Sequence, residues 1–329
     1  MSTRMKHKPK IISLKRRLVI TVSLFLLITL MFALRSFPGL VEQYYSLRAY
    51  PLIRTCLQFI FNSFPFSIGD IVYVLFITGL LTGFILILRL LLKKRFKEGL
   101  VLSLGLILNF EIAFMIFYLF WGLNYFRVPA SERLGLTNRD YNAAELLSVS
   151  DMLVDSVNSS RAALSTNETQ SSAAFEYQAS IRAVRQLSAT SQAFRTSYPM
   201  VKPSLLSPLL NYIGTAGYYN PFTGESHINN QMPVFLRPFV ACHEMAHQTG
   251  YGREDEANFV GFLSGIASDN KLLKYSSYYL ATQEFLAEVW KTDTIAFKAM
   301  KNRISEPVLA DFQKERQYWT KYQGNAAKL

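Results

Sequence analysis

"PFVACHEMAHQTGYGREDEANFVGF", residues 238–262, contains two of the four histidines in the chain. His243 and His247 stand four positions apart, and Glu244 directly follows the first of them. On an α-helix, residues i and i+4 share a face, so both imidazoles can point at one ion with Glu244 beside them. This is a minimal zinc-hydrolase spacing. The metal lowers the pKa of a bound water, the glutamate removes its proton, and hydroxide attacks a polarised carbonyl. Zn2+ is therefore the expected cofactor and Glu244 the expected catalytic base. Two histidines on a helix can also be packed side chains and nothing more, so the reading needs a third ligand and an open fourth position.

The third ligand has to come from the residues that follow. Six positions after His247, where some metalloproteases carry a third histidine, stands Arg253, which cannot ligate. Gly250 and Gly252 bracket a tight turn, after which "EDEANFVGFLSG" reads as a new helix. An antiparallel fold about 250–251 brings position 254 opposite 247 and 258 opposite 243. Glu254 is the expected third ligand and Glu256 the alternative. Asn258 is expected to hydrogen-bond a ligating histidine. Asp255 is assigned to solvent or to the helix cap.

Half of the residues are hydrophobic and the mean hydropathy is +0.15, which points to membrane segments. The formal charge of +12 is carried by the first 98 residues; the remainder balances. No motif that reads DNA or RNA occurs, so nucleic acid is not an expected partner. Apolar runs at about 18–34, 71–92 and 100–121 are each long enough to cross a bilayer. The first could be a cleaved leader, but Arg35 and Phe37 follow it in place of a small-residue cleavage site, which favours an anchor. Glu111, inside the third run, either bonds to neighbouring helices or serves a proton or transport path.

Basic residues crowd positions 4–17 and 93–97, whereas residues 35–70 hold only Arg35, Arg48 and Arg54. The positive-inside bias then places the N-terminus in the cytoplasm and everything after Trp121 outside it. The expected organisation is a basic cytoplasmic segment 1–17, a membrane domain 18–123 and an extracytoplasmic domain 124–329, set in the cytoplasmic (inner) membrane. The lipid bilayer is one partner and a peptide or protein substrate the other. Nothing in the sequence indicates an oligomeric state.

Within 124–329 helices are predicted at 140–164, 175–195, from about Pro238, and at 254–268, 275–299 and 306–320. Residues 203–233 read as too broken for a helix, with short strands "TAGYYN" (215–220) and "ESHIN" (225–229) around an "NPFTG" turn. His227 could contact substrate or cap that turn. Tyr275, Tyr278 and Tyr279 offer phenols for a developing negative charge, with core packing the plainer use. Cys56 and Cys242 form no disulfide framework, and Cys242 reads as a small buried thiol.

Glu254-x-x-Ala257-Asn258 resembles the Glu-x-x-x-Asp/Asn element on the second zinc helix of gluzincin-type metallopeptidases. It is similar, too, to the Glu-x-Glu-Ala-Asn stretch of a family that cleaves repressors in stress and mobile-element regulation. "WGLNYFR" (121–127), "YYNPFTGESHIN" (218–229), "CHEMAHQTGY" (242–251) and "EDEANFVGFL" (254–263) together resemble a bacterial membrane family catalogued as domain of unknown function 3810. The resemblance implies a mainly α, membrane-anchored protein: three N-terminal transmembrane helices, then a mostly helical zincin-like α+β domain with a small sheet. It attaches no substrate. It also implies that a strand upstream of the metal helix pairs with an extended peptide, and Glu225, Ser226, His227, Ile228 and Asn229 are placed to be that strand. The chain departs from ordinary gluzincins in the very short gap between His247 and Glu254.

Overall fold

The computed structural model describes residues 14–136, 140–168 and 172–323. Three helices, α1 (Leu14–Phe32), α3 (Ile68–Leu92) and α4 (Phe96–Phe120), are long and apolar enough to cross a membrane. Each starts three or four residues before its predicted apolar run and so includes polar residues at its entry. Ser67 caps α3, its Oγ accepting from the Asp70 amide at 2.9 Å. Glu111 is buried within α4, and its Oε2 has no partner among the described residues.

The segment between the first two spans is not an open loop. Residues 41–49 form a π-helix that runs into α2 (Tyr50–Phe61). Tyr50, Arg54 and Gln58 of α2 are buried against the part of the chain that follows the third span. Tyr50 Oη donates to the Gln248 carbonyl at 2.7 Å, and Arg54 reaches the carbonyls of Thr249 and Arg195. Arg127 pairs with Glu42 at 2.6 Å. These contacts put both regions at the same end of the α3–α4 pair.

Besides single-turn pieces such as Ala130–Arg133, the other helices among the described residues are α5 (Ala143–Ala162), α6 (Ala173–Ser188), α7 (Ser207–Ile213), α8 (Arg237–Thr249), α9 (Glu254–Ile266), α10 (Lys271–Thr292), α11 (Thr294–Arg303) and α12 (Glu306–Gln323). Asn142 and Glu145 close a reciprocal capping box on α5. The helix predicted over 275–299 is two, because the Asp293 carboxylate takes the amides of Ile295 and Ala296 and starts α11 afresh. Residues 207–213, expected to be non-helical, form α7, with Pro208 in its first turn and Gly214 in the left-handed region at its end. One core lies among α5, α10, α11 and α12 around Val154, Val157, Leu286 and Val289; a second packs α6 and α8 about Ile181, Ile228 and Met245.

The sheet has the order β1-β3-β2, from β1 (Val201–Pro203), β2 (Gly217–Asn220) and β3 (Glu225–Ile228). β3 runs parallel to β1, with Lys202 beside His227, and antiparallel to β2, with Tyr218 beside His227. Side chains alternate across a strand, and here the two faces meet different layers. Ser226 faces α8, its Oγ donating to the Glu244 carbonyl at 2.9 Å. Glu225 and His227 face the start of α3. Glu225 accepts from the Gly69 amide at 2.6 Å and pairs with Lys202 Nζ at 2.6 Å, while His227 Nε2 lies 2.7 Å from Ser67 Oγ. The sheet is therefore a layer between the histidine helix and the entry of the second span.

Candidate metal centre

α8 ends where Gly250 takes φ 99°, a left-handed turn that a side chain would resist, and α9 begins at Glu254. Four residues thus link the helices. Gly261 brings them close: a Cβ there would lie 3.2 Å from the His243 amide nitrogen. The pivot falls near Gly252, not at 250–251 as the sequence suggested, so position 261, not 258, lies opposite His243. Asn258 accordingly misses the histidines. Its Nδ2 donates to Glu284 Oε1 at 2.9 Å, and the expected bond to a ligating histidine is not made.

The two imidazoles and Glu254 converge. His243 Nε2 is 3.1 Å from His247 Nε2 and 3.2 Å from Glu254 Oε2; His247 Nε2 is 3.6 Å from Glu254 Oε1. Among the described residues these three form a group able to hold a metal ion. Zinc bonds of about 2.0–2.1 Å at tetrahedral angles hold ligand atoms roughly 3.3 Å apart, so the spacing fits such an ion. His247 is also prepared for ligation. Its Nδ1–H donates to the Tyr251 carbonyl at 2.7 Å, which turns Nε2 toward His243 and Glu254. Glu256 is turned the other way, accepting from the Ala130 amide at 2.7 Å and from Arg133 at 3.2 Å, so the alternative third ligand is excluded by its own bonds. Asp255 faces solvent and pairs with Arg253.

Glu244 is buried, and its Oε2 has no hydrogen-bond partner among the described residues. Burial raises its carboxyl above the ordinary range, with His243 and His247 opposing that rise. The exposed Glu254 is held well below the usual carboxylate range by its contacts with His243 and His247. Gly217, at the start of β2, lies against Glu244: a Cβ there would sit 2.9 Å from Glu244 Oε1 and 2.6 Å from the His227 carbonyl.

β3 is the central strand, bonded on both sides, so Glu225 to Ile228 have no free edge for a peptide; Asn229, just beyond, bonds Asn211 and the Ala216 carbonyl. The outer strands are β1, whose Val201 and Lys202 are buried, and β2, which is half-buried at Gly217 and Tyr218. Ala216 and Asn220 turn their carbonyls inward to Asn229 and Gly224, so the alternation of an antiparallel pair points the Gly217 and Tyr219 backbone groups outward. His227 is fully buried, and burial pushes its imidazole down to about 4. It touches neither solvent nor the histidine pair. Tyr275 and Tyr279 are buried and donate to Asp311 and Glu315, each at 2.7 Å, and Tyr278 packs on Phe262. Cys242 is buried, its thiol pushed up to about 12, and Cys56 is exposed; both are free.

Several contributors escaped the sequence reading. Trp121, directly after α4, donates from Nε1 to the His247 carbonyl at 2.8 Å and sets its ring edge-on to that histidine. Gln248 ties α8 to the carbonyl of Gly224 at 2.8 Å. Glu284 of α10 reaches toward His243; burial raises its carboxyl and His243 tempers that. Only Gly217 left a local sign, since a glycine inside a strand marks a close backbone approach.

Residues 45–329 match the model of a family described as a protein of unknown function (DUF3810). No curated protein and no solved structure matches the chain significantly. The match spans the second and third membrane helices, the sheet and both helices of the candidate centre, and on that extent the chain belongs to the DUF3810 family.

Proposed function

We propose that this protein is a membrane-anchored, zinc-dependent metallopeptidase of zincin-like type, acting on a peptide or protein outside the cytoplasm. The observation that carries the reading is the approach of His243, His247 and Glu254 to one point, with Glu244 buried beside it. Zinc held by those three residues would polarise a carbonyl and acidify water. Glu244 takes the proton of the attacking water and returns it to the leaving amine. The outward Gly217 and Tyr219 backbone groups of β2 pair with an extended peptide and would turn one of its carbonyl oxygens toward the His243–His247–Glu254 trio, with Glu244 beside the attacked carbon. The basic flanks of the first and second spans support the orientation, with the centre on the far side from residues 4–17.

The direct test is the metal content of the detergent-extracted protein. Close to one zinc per chain is expected, with His243→Ala and His247→Ala each losing it; a native protein without zinc after mild extraction removes the proposal. Gly217→Ala is expected to keep the zinc and to slow hydrolysis by roughly a hundredfold, because its methyl displaces Glu244 or the strand edge. Peptidase activity at the native level in that variant would mean that β2 does not line the site. A non-catalytic envelope protein that uses the same fold to hold a partner is the competing reading, favoured if zinc binds and Glu244→Gln changes no phenotype.

A further inference from the structure

The position of the candidate centre relative to the spans defines a class of substrate. α4 has 25 residues, about 37 Å at 1.5 Å per residue. A hydrocarbon core is about 30 Å thick, and about 40–45 Å with its headgroups. The end of α4 therefore lies in the headgroup layer, where an indole is favoured. Trp121 is the next residue, and its ring centroid is 5.9 Å from that of the ligating His247.

The strand edge is equally close. Tyr219 of β2 packs on Trp121 at 5.3 Å. Tyr218 and Phe222, just beyond the strand, pack on Tyr73 of α3 at 5.9 and 6.1 Å. Asn220 lies so near α3 that a Cβ on Gly69 would come within 2.5 Å of its Nδ2. β2 thus leads from Gly217, beside Glu244, to Asn220, beside the start of α3, so the strand runs from the candidate centre toward the membrane-spanning helices. A folded soluble protein would have to press into the headgroups to lay an extended segment there. A chain that leaves the bilayer is already at that level.

We propose that the substrate is a polypeptide inserted in the bilayer, cut within a few residues of the point where it emerges. The inference rests on the peptidase reading and adds the substrate class to it. From Gly217 through the strand to Phe222 in the turn is five steps, at most about 17 Å at roughly 3.3 Å per residue, so the bond presented beside Glu244 lies within about five residues of the level of α3.

The test uses the full chain reconstituted in phospholipid vesicles. One probe is a model spanning helix of about 20 apolar residues followed by about a dozen randomised residues, roughly 40 Å when extended, and a polar tail. The other is the same randomised segment and tail as a free peptide. Products are mapped by mass spectrometry, with Glu244→Gln protein as the blank. The tethered probe is expected to be cut at least about tenfold faster, through its raised local concentration. Cuts should cluster within about six residues of the helix end and keep that distance when a Gly-Ser spacer is inserted. Equal cutting of both probes, or cuts scattered along the tail, overturns the substrate class and leaves the peptidase standing. No cutting of either probe by zinc-loaded protein overturns the peptidase reading and this inference with it.

Discussion

Glu244→Gln is expected to hold as much zinc as the native protein and to lose peptide hydrolysis by about a hundred- to ten-thousand-fold. The amide matches the carboxylate in shape, so the buried niche beside Gly217 stays filled. What disappears is the capacity to take a proton. Glu244 stands outside the converging trio of His243, His247 and Glu254, so its charge is not needed to hold the ion. Two measurements on one preparation decide the matter: zinc by elemental analysis and cleavage of a peptide pool. Loss of zinc in the variant would make Glu244 a ligand. Undiminished cleavage would leave the base to another residue.

Lys202→Met is expected to cost about 3–5 kcal/mol of stability, because it leaves a carboxylate buried without its cation. Lys202 Nζ pairs with Glu225 and also donates to the carbonyls of Phe61 and Phe66, so it fastens β1 to the end of α2 and to the turn before α3. Both side chains of the pair are almost wholly buried. In a domain whose net stability is about 5–15 kcal/mol, such a loss is large. The double variant Lys202→Met with Glu225→Met is expected to recover much of it, since a buried pair replaced by apolar groups is often neutral. Thermal unfolding in detergent checks both. A single variant as stable as the native protein would mean that water reaches Glu225.

The convergence of His243, His247 and Glu254 was legible because everything that builds it is local: a four-residue helical repeat, two glycines and an acid at the next helix start. Asn258 was misplaced because the helices come together at His243 and Gly261, three positions further along α9 than a hairpin folded at 250–251 gives, so nearly one helical turn of register was lost. The strands of the β2–β3 hairpin were legible from the turn between them. Which of them is the edge was not, since that depends on β1, three residues ending in Pro203 and too short to show alternation. The partners of Glu225 and His227 come from Gly69 and Ser67, more than 150 positions away, and no local pattern announces them. Asp293 did carry a capping signal within the run predicted as one helix, and the apolar periodicity on both sides masked it. Trp121 read only as the end of a span.

The bonds from Tyr50 to Gln248 and from Arg54 to Thr249 join residues 198 and 195 positions apart. During synthesis α2 is made early, and it waits with a buried-type arginine and tyrosine uncovered until α8 has left the ribosome. Closing so long a loop is slow more than it is costly. Throughout that interval the half-made chain displays the surface on which quality-control proteases and chaperones act, so the yield of mature protein depends on how fast its last third is delivered.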